Sequence, residues 1–253
     1  MGILNVTPDS FSDGGKYQSV EDTVSQARLM ISQGADIIDI GAQLTRPMAS
    51  RISPEEEHDR LIPVLEAILK LPEAEGKLMS VDTFYSQVAS EAVSKGAHLV
   101  NDVSGGQLDS KMLDVVVELK VTYVAMHMRG NPSTMQNSEN LQYGDVCKDV
   151  ASELCMRARD AELSGIPAWK IIIDPGIGFS KKKEDNLDIL MGLPTIRTEI
   201  SKKSLAVSHA PLLIGPSRKR FLGDICSHSA ASDRDPATVA SVTLIWMCSN
   251  LGV

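Results

Sequence analysis

Short apolar runs alternating with longer amphipathic stretches, glycine caps set directly ahead of those runs, and a polar residue at the end of each run predict an α/β fold, a parallel sheet closed into a (β/α)8 TIM barrel. The 253 residues suit one such domain, read here as 1–253. The first apolar run, 2–5, ends in Asn5. The next, 36–40, follows Gly34-Ala35 and carries Asp39. Ser53-Pro54-Glu55-Glu56 reads as a capping box with proline in the first helical position, followed by Leu61, Ile62, Leu65, Ile68 and Leu69 on one face. Runs 78–81, 98–101 and 122–127 lead to Asp82, to Asn101 with Asp102, and to His127. Gly96 repeats the cap of Gly34 ahead of its run. A helix starting near Asp145 carries Val146, Val150, Leu154 and Ala158 and is closed by Gly165. Runs 171–174 and 212–215 then lead to Asp174 and, past Gly215, to Ser217 and Lys219. The last helix, about 236–249, runs into Asn250-Leu251-Gly252-Val253, a cap and the first residue of another strand, so the barrel is expected to be truncated in strand 1 and before strand 8.

Composition removes several classes of function. With 25 Lys and Arg against 33 Asp and Glu the formal charge is −8, and no basic run tracks a phosphate backbone, so nucleic acid is excluded as a partner. No apolar run approaches the roughly 20 residues of a membrane helix. Cys147, Cys155, Cys226 and Cys248 show no CxxC spacing and read as buried thiols in a reducing compartment. No second histidine stands at metal spacing from His127, which alone reads as a satisfied histidine.

In a barrel the strand ends face one rim, where chemistry is done. Asp39 and Asp102 read equally well as caps of neighbouring loops. Asp82, Asn101 and Asp174 taken together suit a planar heterocycle with an amidine-like N–H edge, because two parallel donors match one carboxylate. Gly215-Pro216-Ser217-Arg218-Lys219-Arg220 follows a run and opens a helix, so it is expected to aim two or three cations and backbone N–H groups at an anion such as phosphate. Asp174-Pro175-Gly176-Ile177-Gly178-Phe179 lacks nucleotide-loop spacing and reads as a tight turn aiming Asp174 and Phe179. The loop from Asn5 to Gly15 is polar and closed by glycines, as a lid would be, and Thr45-Arg46 in the next loop offers a hydroxyl and a guanidinium to the same anion. The Asn5 carboxamide favours Mg²⁺ over zinc.

The strings NVTPDSFSDGG, TRP after DIG, VDT, ND, DPGIGF and GPSRK, in this order and spacing, resemble dihydropteroate synthase over nearly the whole chain. GAQLTRPMASRISPEEE is most similar to the plant form, in which this domain follows a pyrophosphokinase domain in a mitochondrial protein. The resemblance implies a barrel, usually a homodimer. It would join 6-hydroxymethyl-7,8-dihydropterin diphosphate to p-aminobenzoate, giving 7,8-dihydropteroate and pyrophosphate, the step that sulfonamides block. It implies that Asp82, Asn101, Asp174 and Lys219 hold the pterin, with Asp82, Asp174 and Lys219 catalytic. Asn5 would ligate Mg²⁺, and Thr45 and Arg46 would lie near the diphosphate and p-aminobenzoate. Phe179, Ser217 and Lys219 would border the p-aminobenzoate pocket, and Pro8 and Asp9 would sit in the lid. No nucleophilic side chain is expected, since the diphosphate is already an activated leaving group.

Two departures from the family pattern stand out. The Arg-x-His motif of its eighth strand is not in the chain, and Leu44 replaces the serine that usually precedes Thr-Arg-Pro, which is expected to alter p-aminobenzoate or inhibitor binding. The rival readings are a truncated pterin-binding protein without turnover and another pterin-binding barrel, such as a methyltetrahydrofolate methyltransferase. The latter has no need of the GPSRK loop or the NVTPDSFSDGG lid.

Overall fold

The computed structural model describes residues 1–6, 20–43, 51–227 and 230–250. Its six strands form a parallel α/β sheet in the order β1-β2-β3-β4-β5-β6. The chain forms two compact units, Met1–Val124 with Leu163–Ile166, and Ala125–Glu162 with Pro167–Val253.

The first unit repeats strand and helix: β1 (Gly2–Asn5), α1 (Val20–Ser32), β2 (Ile37–Gly41), α2 (Pro54–Leu69), β3 (Leu78–Asp82), α3 (Ser86–Lys95), β4 (Leu99–Asp102), α4 (Met112–Leu119) and the start of β5 (Thr122–Met126). Register decides what each face of the sheet carries. Leu4, Ile40, Val81 and Val100 stand side by side across β1 to β4, and Gly2, Ile38 and Met79 form the parallel row two residues back. These rows face the helices: a Cβ on Gly2 would meet the Met30 sulfur of α1 at 2.9 Å. Each of their larger side chains is buried. Burying one Leu or Ile contributes about 1.5–3 kcal/mol over leaving it exposed. Because side chains alternate along a strand, the rows between them face the other way, and there stand Asn5, Gly41, Asp82 and Asn101, with Asp39 and Ser80 two residues back.

The helices start and stop as the sequence predicts. Ser53 caps α2, its hydroxyl accepting from the Glu56 N–H at 3.2 Å, with Pro54 at the first position. The reciprocal half of the box is replaced by an ion pair from Glu56 to Arg60. Leu61, Ile62, Val64, Leu65 and Ile68 form the buried stripe of α2, while Pro63 lies on the exposed side and the helix continues through it. Gly34 and Gly96 end α1 and α3 at φ 97° and 118°, and the amides of Ala35 and Ala97 reach back to the carbonyls of Met30 and Ala92.

The second unit contains most of α5 (Val146–Ser164), then β6 (Ile171–Asp174), α6 (Lys183–Met191), α7 (Leu193–Lys203), α8 (Arg220–Cys226) and α9 (Asp235–Asn250). Val146, Val150, Leu154 and Ala158 line the buried side of α5, as their spacing predicts. The expected seventh strand at 212–215 is reduced to one bridge, Leu212 beside Ile173. Pro211 and Pro216 bracket the run and remove ladder donors at both ends, which leaves the Leu213 amide donating to Ile173 and the Pro211 carbonyl accepting from it. The cysteines also differ from expectation, since Cys147 is buried but Cys226 is exposed. Among the described residues no helix is long and apolar enough to cross a membrane.

Candidate active site

The β1 to β4 tips place three of the expected site residues, Asn5, Asp82 and Asn101, in one lateral row. Asp82 pairs in register with Gly41 on one side and Asn101 on the other, and Gly41 pairs with Asn5. Gly41 is there because the Asp82 side chain lies across it: a Cβ at position 41 would sit 3.2 Å from both the Cβ and Oδ2 of Asp82. Asn101 donates its carboxamide N–H to Asp39 Oδ2 at 3.0 Å, which fixes the amide and turns its carbonyl oxygen elsewhere. Asp39 is therefore the support of Asn101 rather than a loop cap. Burial raises its pKa, and Asn101 partly offsets this. Asp102 is the loop anchor its alternative reading anticipates. It accepts from the Ser104 amide and hydroxyl at 2.8 and 2.7 Å, from the Gly106 amide at 2.8 Å and from the Tyr123 hydroxyl at 2.9 Å.

In the second unit Asp174 closes β6, and its Oδ1 accepts from the Gly176 amide at 2.7 Å. The turn that follows uses left-handed backbone at Gly176 (φ 68°), Gly178 (φ 82°) and Ser180 (φ 44°). Nothing larger than glycine fits at 176, since a Cβ there would come within 2.0 Å of the His127 carbonyl oxygen. The turn delivers Phe179, whose ring lies 4.3 Å from the Lys219 Nζ in a cation–π contact. Asp174, Phe179 and Lys219 are thereby set by one loop and the N-cap of α8. Ser217 is exposed. The cations of this loop are divided, contrary to expectation. Arg218 makes a two-toothed ion pair with Asp235 of α9, at 2.6 and 2.8 Å, so it is committed to α9. Its backbone is left-handed, with a φ of 54°.

Behind the loop lies a network that sequence reasoning missed. His127 is fully buried, with Nε2 2.9 Å from Glu153 Oε2 and Nδ1 3.0 Å from Lys181 Nζ. Burial and the neighbouring Lys181 push its pKa down to about 3, so the ring is neutral and satisfied, as its residue type predicts. Burial works against the Glu153 carboxylate, but His127 and Arg129 outweigh it and hold its pKa down to about 2. The Arg129 guanidinium also stacks on Tyr143 at 3.9 Å. The run Lys181-Lys182-Lys183 reads as solvated surface, and only the fold reveals that its first member is buried. Glu57 was hidden in the same way inside the acidic first turn of α2. It is fully buried, both its carboxylate oxygens lack hydrogen-bond partners among the described residues, and burial pushes its pKa up to about 7.

Pro8, Asp9, Leu44, Thr45 and Arg46 lie outside the described residues. Among the described residues no group of three His, Cys, Asp or Glu side chains could hold a metal ion.

A parallel sheet with aliphatic rows toward its helices and carboxylates and carboxamides at its strand ends defines the class: an α/β domain that carries its chemistry at the carboxyl ends of the strands. The family described as pterin binding enzyme matches residues 1–250, and the chain belongs to that family. It is 73% identical over 248 residues to the mitochondrial folate synthesis bifunctional protein of Pisum sativum, covering 98% of this chain and 48% of that protein. The chain spans about half the length of the curated plant relatives it matches. Among solved structures, it is similar to the dihydropteroate synthase of Yersinia pestis in a sulfonamide complex, with a TM-score of 0.86 and 35% identity, covering 98% of this chain and 84% of that one. The Xanthomonas albilineans enzyme in complex with 7,8-dihydropteroate gives a TM-score of 0.79 at 36% identity, covering 96% and 82%.

Proposed function

We propose that the chain is the dihydropteroate synthase part of a plant-type folate synthesis protein, joining 6-hydroxymethyl-7,8-dihydropterin diphosphate to p-aminobenzoate. The observation that carries this reading is the row Asn5, Gly41, Asp82 and Asn101, in which a carboxylate and an oriented carboxamide stand at neighbouring strand tips. Asp82, and Asp174 from the second unit, accept N–H groups of the pterin, and Asn101 and Lys219 complete its recognition. Phe179, Ser217 and Lys219 border the p-aminobenzoate; Thr45 and Arg46, which the resemblance assigns to the diphosphate, and Pro8 and Asp9, which it assigns to the lid, lie outside the described residues. As the bond from the pterin methylene to the diphosphate oxygen breaks, positive charge develops on the methylene and the electron-rich ring. Asp82 and Asp174 stabilise that charge electrostatically. The arylamine nitrogen bonds to the methylene, gives up its proton, and pyrophosphate leaves.

Asn5 at the exposed end of β1, next in the row to the glycine that underlies the Asp82 carboxylate, suits Mg²⁺, a cation that takes one or two protein oxygens and fills its shell with water and phosphate. When bound, the ion neutralises charge on the leaving diphosphate. A homodimer, from the family pattern, and a mitochondrial location, supported by the name of the Pisum sativum relative, complete the proposal, with a cytoplasmic location as the alternative.

The test is pyrophosphate release from the pterin diphosphate, with and without p-aminobenzoate and with Mg²⁺ varied. Release that requires both is expected. Asp82→Asn should keep the fold and lose about 10²–10³-fold in kcat/KM, the scale of one lost electrostatic partner. Native-like turnover in that variant refutes the role of Asp82, and no turnover by the folded native chain refutes the reading.

A further inference from the structure

Lys181 is 4% exposed while Lys182 and Lys183 beside it are exposed, and its burial is organised. Nζ donates to the carbonyls of Gly176 at 3.0 Å and Phe179 at 2.9 Å, and faces His127 Nδ1 at 3.0 Å. An ammonium has three N–H donors and no acceptor, so these three partners, with the His127 carbonyl sharing a donor at 3.5 Å, use it completely. The same count fixes the histidine. Nδ1 must accept, so the ring proton sits on Nε2 and is given to Glu153, which Arg129 holds in turn. The backbone under this grip is one that L-residues avoid, at Ser180 above all, and such conformations persist only where the surroundings over-determine them. Here the Ser180 hydroxyl accepts from the Arg129 amide at 2.9 Å, its carbonyl accepts from the Tyr143 hydroxyl at 2.8 Å, and the Gly178 amide donates to Asn186 at 2.6 Å.

We propose that Lys181 is a positioning residue of the candidate site, fixing through its three bonds the loop on which Asp174 and Phe179 stand. The ligand side of this inference rests on the dihydropteroate synthase reading, and the loop side does not. A buried ammonium is a costly way to fill space that a methionine of similar length would fill more cheaply. What the ammonium supplies is direction, tying two carbonyls three residues apart to one imidazole. The charges acting on it come from several sides: Asp174 and Glu153 favour its charged form, Arg157 and Arg129 oppose it, and burial brings its pKa down to about 7.

Lys181→Met is expected to fold with native or higher stability and to lose order in the loop. Amide exchange at Gly176, Gly178 and Phe179 should quicken about tenfold or more, while the amides of α5 keep their native rates. Binding of 7,8-dihydropteroate, followed by calorimetry, should weaken by about tenfold, the effect of roughly 1.4 kcal/mol of lost preorganisation. Lys181→Gln, which keeps two N–H donors, should recover part of both. Native loop exchange in Lys181→Met overturns the proposal, as does a general loss of stability with the loop no less protected than α5. If the native chain fails to bind dihydropteroate while the variant loop still loosens, the functional reading falls and the grip of Lys181 stands. Should neither variant fold, the native chain decides. Loop protection relative to α5 should fall as the pH passes from 6 to 9, because the neutral amine cannot serve three acceptors, and a flat ratio overturns the proposal.

Discussion

At the scale of single residues the informative groups are those that burial has moved from their ordinary behaviour. Glu57 shows the direction of the effect. Its folded pKa of about 7 lies above the ordinary carboxylate value of 4.5, so the folded chain keeps a proton that the unfolded chain releases. Stability is fullest below pH 4.5, declines as the pH rises from 4.5 to 7, and stays reduced above that, by roughly 3 kcal/mol at most. Glu57→Gln is expected to abolish this decline, so that the urea midpoint of the variant gains on the native protein between pH 4.5 and 7. Equal pH profiles for the two proteins would show that Glu57 is ionised and solvated. Neither Glu57 nor Lys181 was legible in the sequence, because each sits in a run of like charges, and such a run looks the same whether or not one member turns inward. Asp82, Asn101 and Asp174 stand out in the sequence because they end apolar runs, a position where a polar side chain needs a reason, and Lys219 because it lies past the run 212–215 in a loop that opens a helix.

At the scale of elements the fold was read with little error. β1 and β6 have their expected bounds, and β2, β3 and β4 each run one residue further, to Gly41, Asp82 and Asp102. The extension matters because the polar tips belong to the ladder and inherit its register. The seventh strand falls short of the apolar run 212–215 because Pro211 and Pro216 beside it remove ladder donors, and four apolar residues do not replace them. Register also supplies a test. Gly41→Ala places a methyl against Asp82 in a row with no room for it, and such overpacking costs about 1–3 kcal/mol. The expected result is a folded variant whose kcat/KM falls at least as far as its stability loss alone would suggest, since Asp82 itself is displaced. An alanine variant with native kinetics would mean that Asp82 can lean away without consequence.

At the scale of the whole molecule the buried groups set a pH profile in which two slopes oppose each other. His127 has a folded pKa of about 3 against 6.5 unfolded, so its contribution is present above 6.5 and is lost as the pH falls from 6.5 toward 3. Glu153, held at about 2, adds to that loss below 4.5. Between pH 4.5 and 6.5 His127 makes stability rise with pH while Glu57 makes it fall, and the native chain shows a shallow slope. His127→Gln is expected to turn that slope negative, measured as unfolding free energy at half-unit steps of pH. A slope left unchanged would mean that the His127 ring binds as many protons in the folded chain as in the unfolded one.

The buried amine of Lys181 has a further consequence for anyone handling the protein. Lys182 and Lys183 present their amines to water, so an acylating reagent will mark both and pass over their neighbour for as long as the loop keeps its shape. Once the loop opens, Lys181 emerges as one more surface amine and takes the label. Three consecutive lysines thus contain their own internal standard, two always reporting and one silent, and the ratio of their modification in a mass spectrum reads the state of the loop without any ligand or substrate.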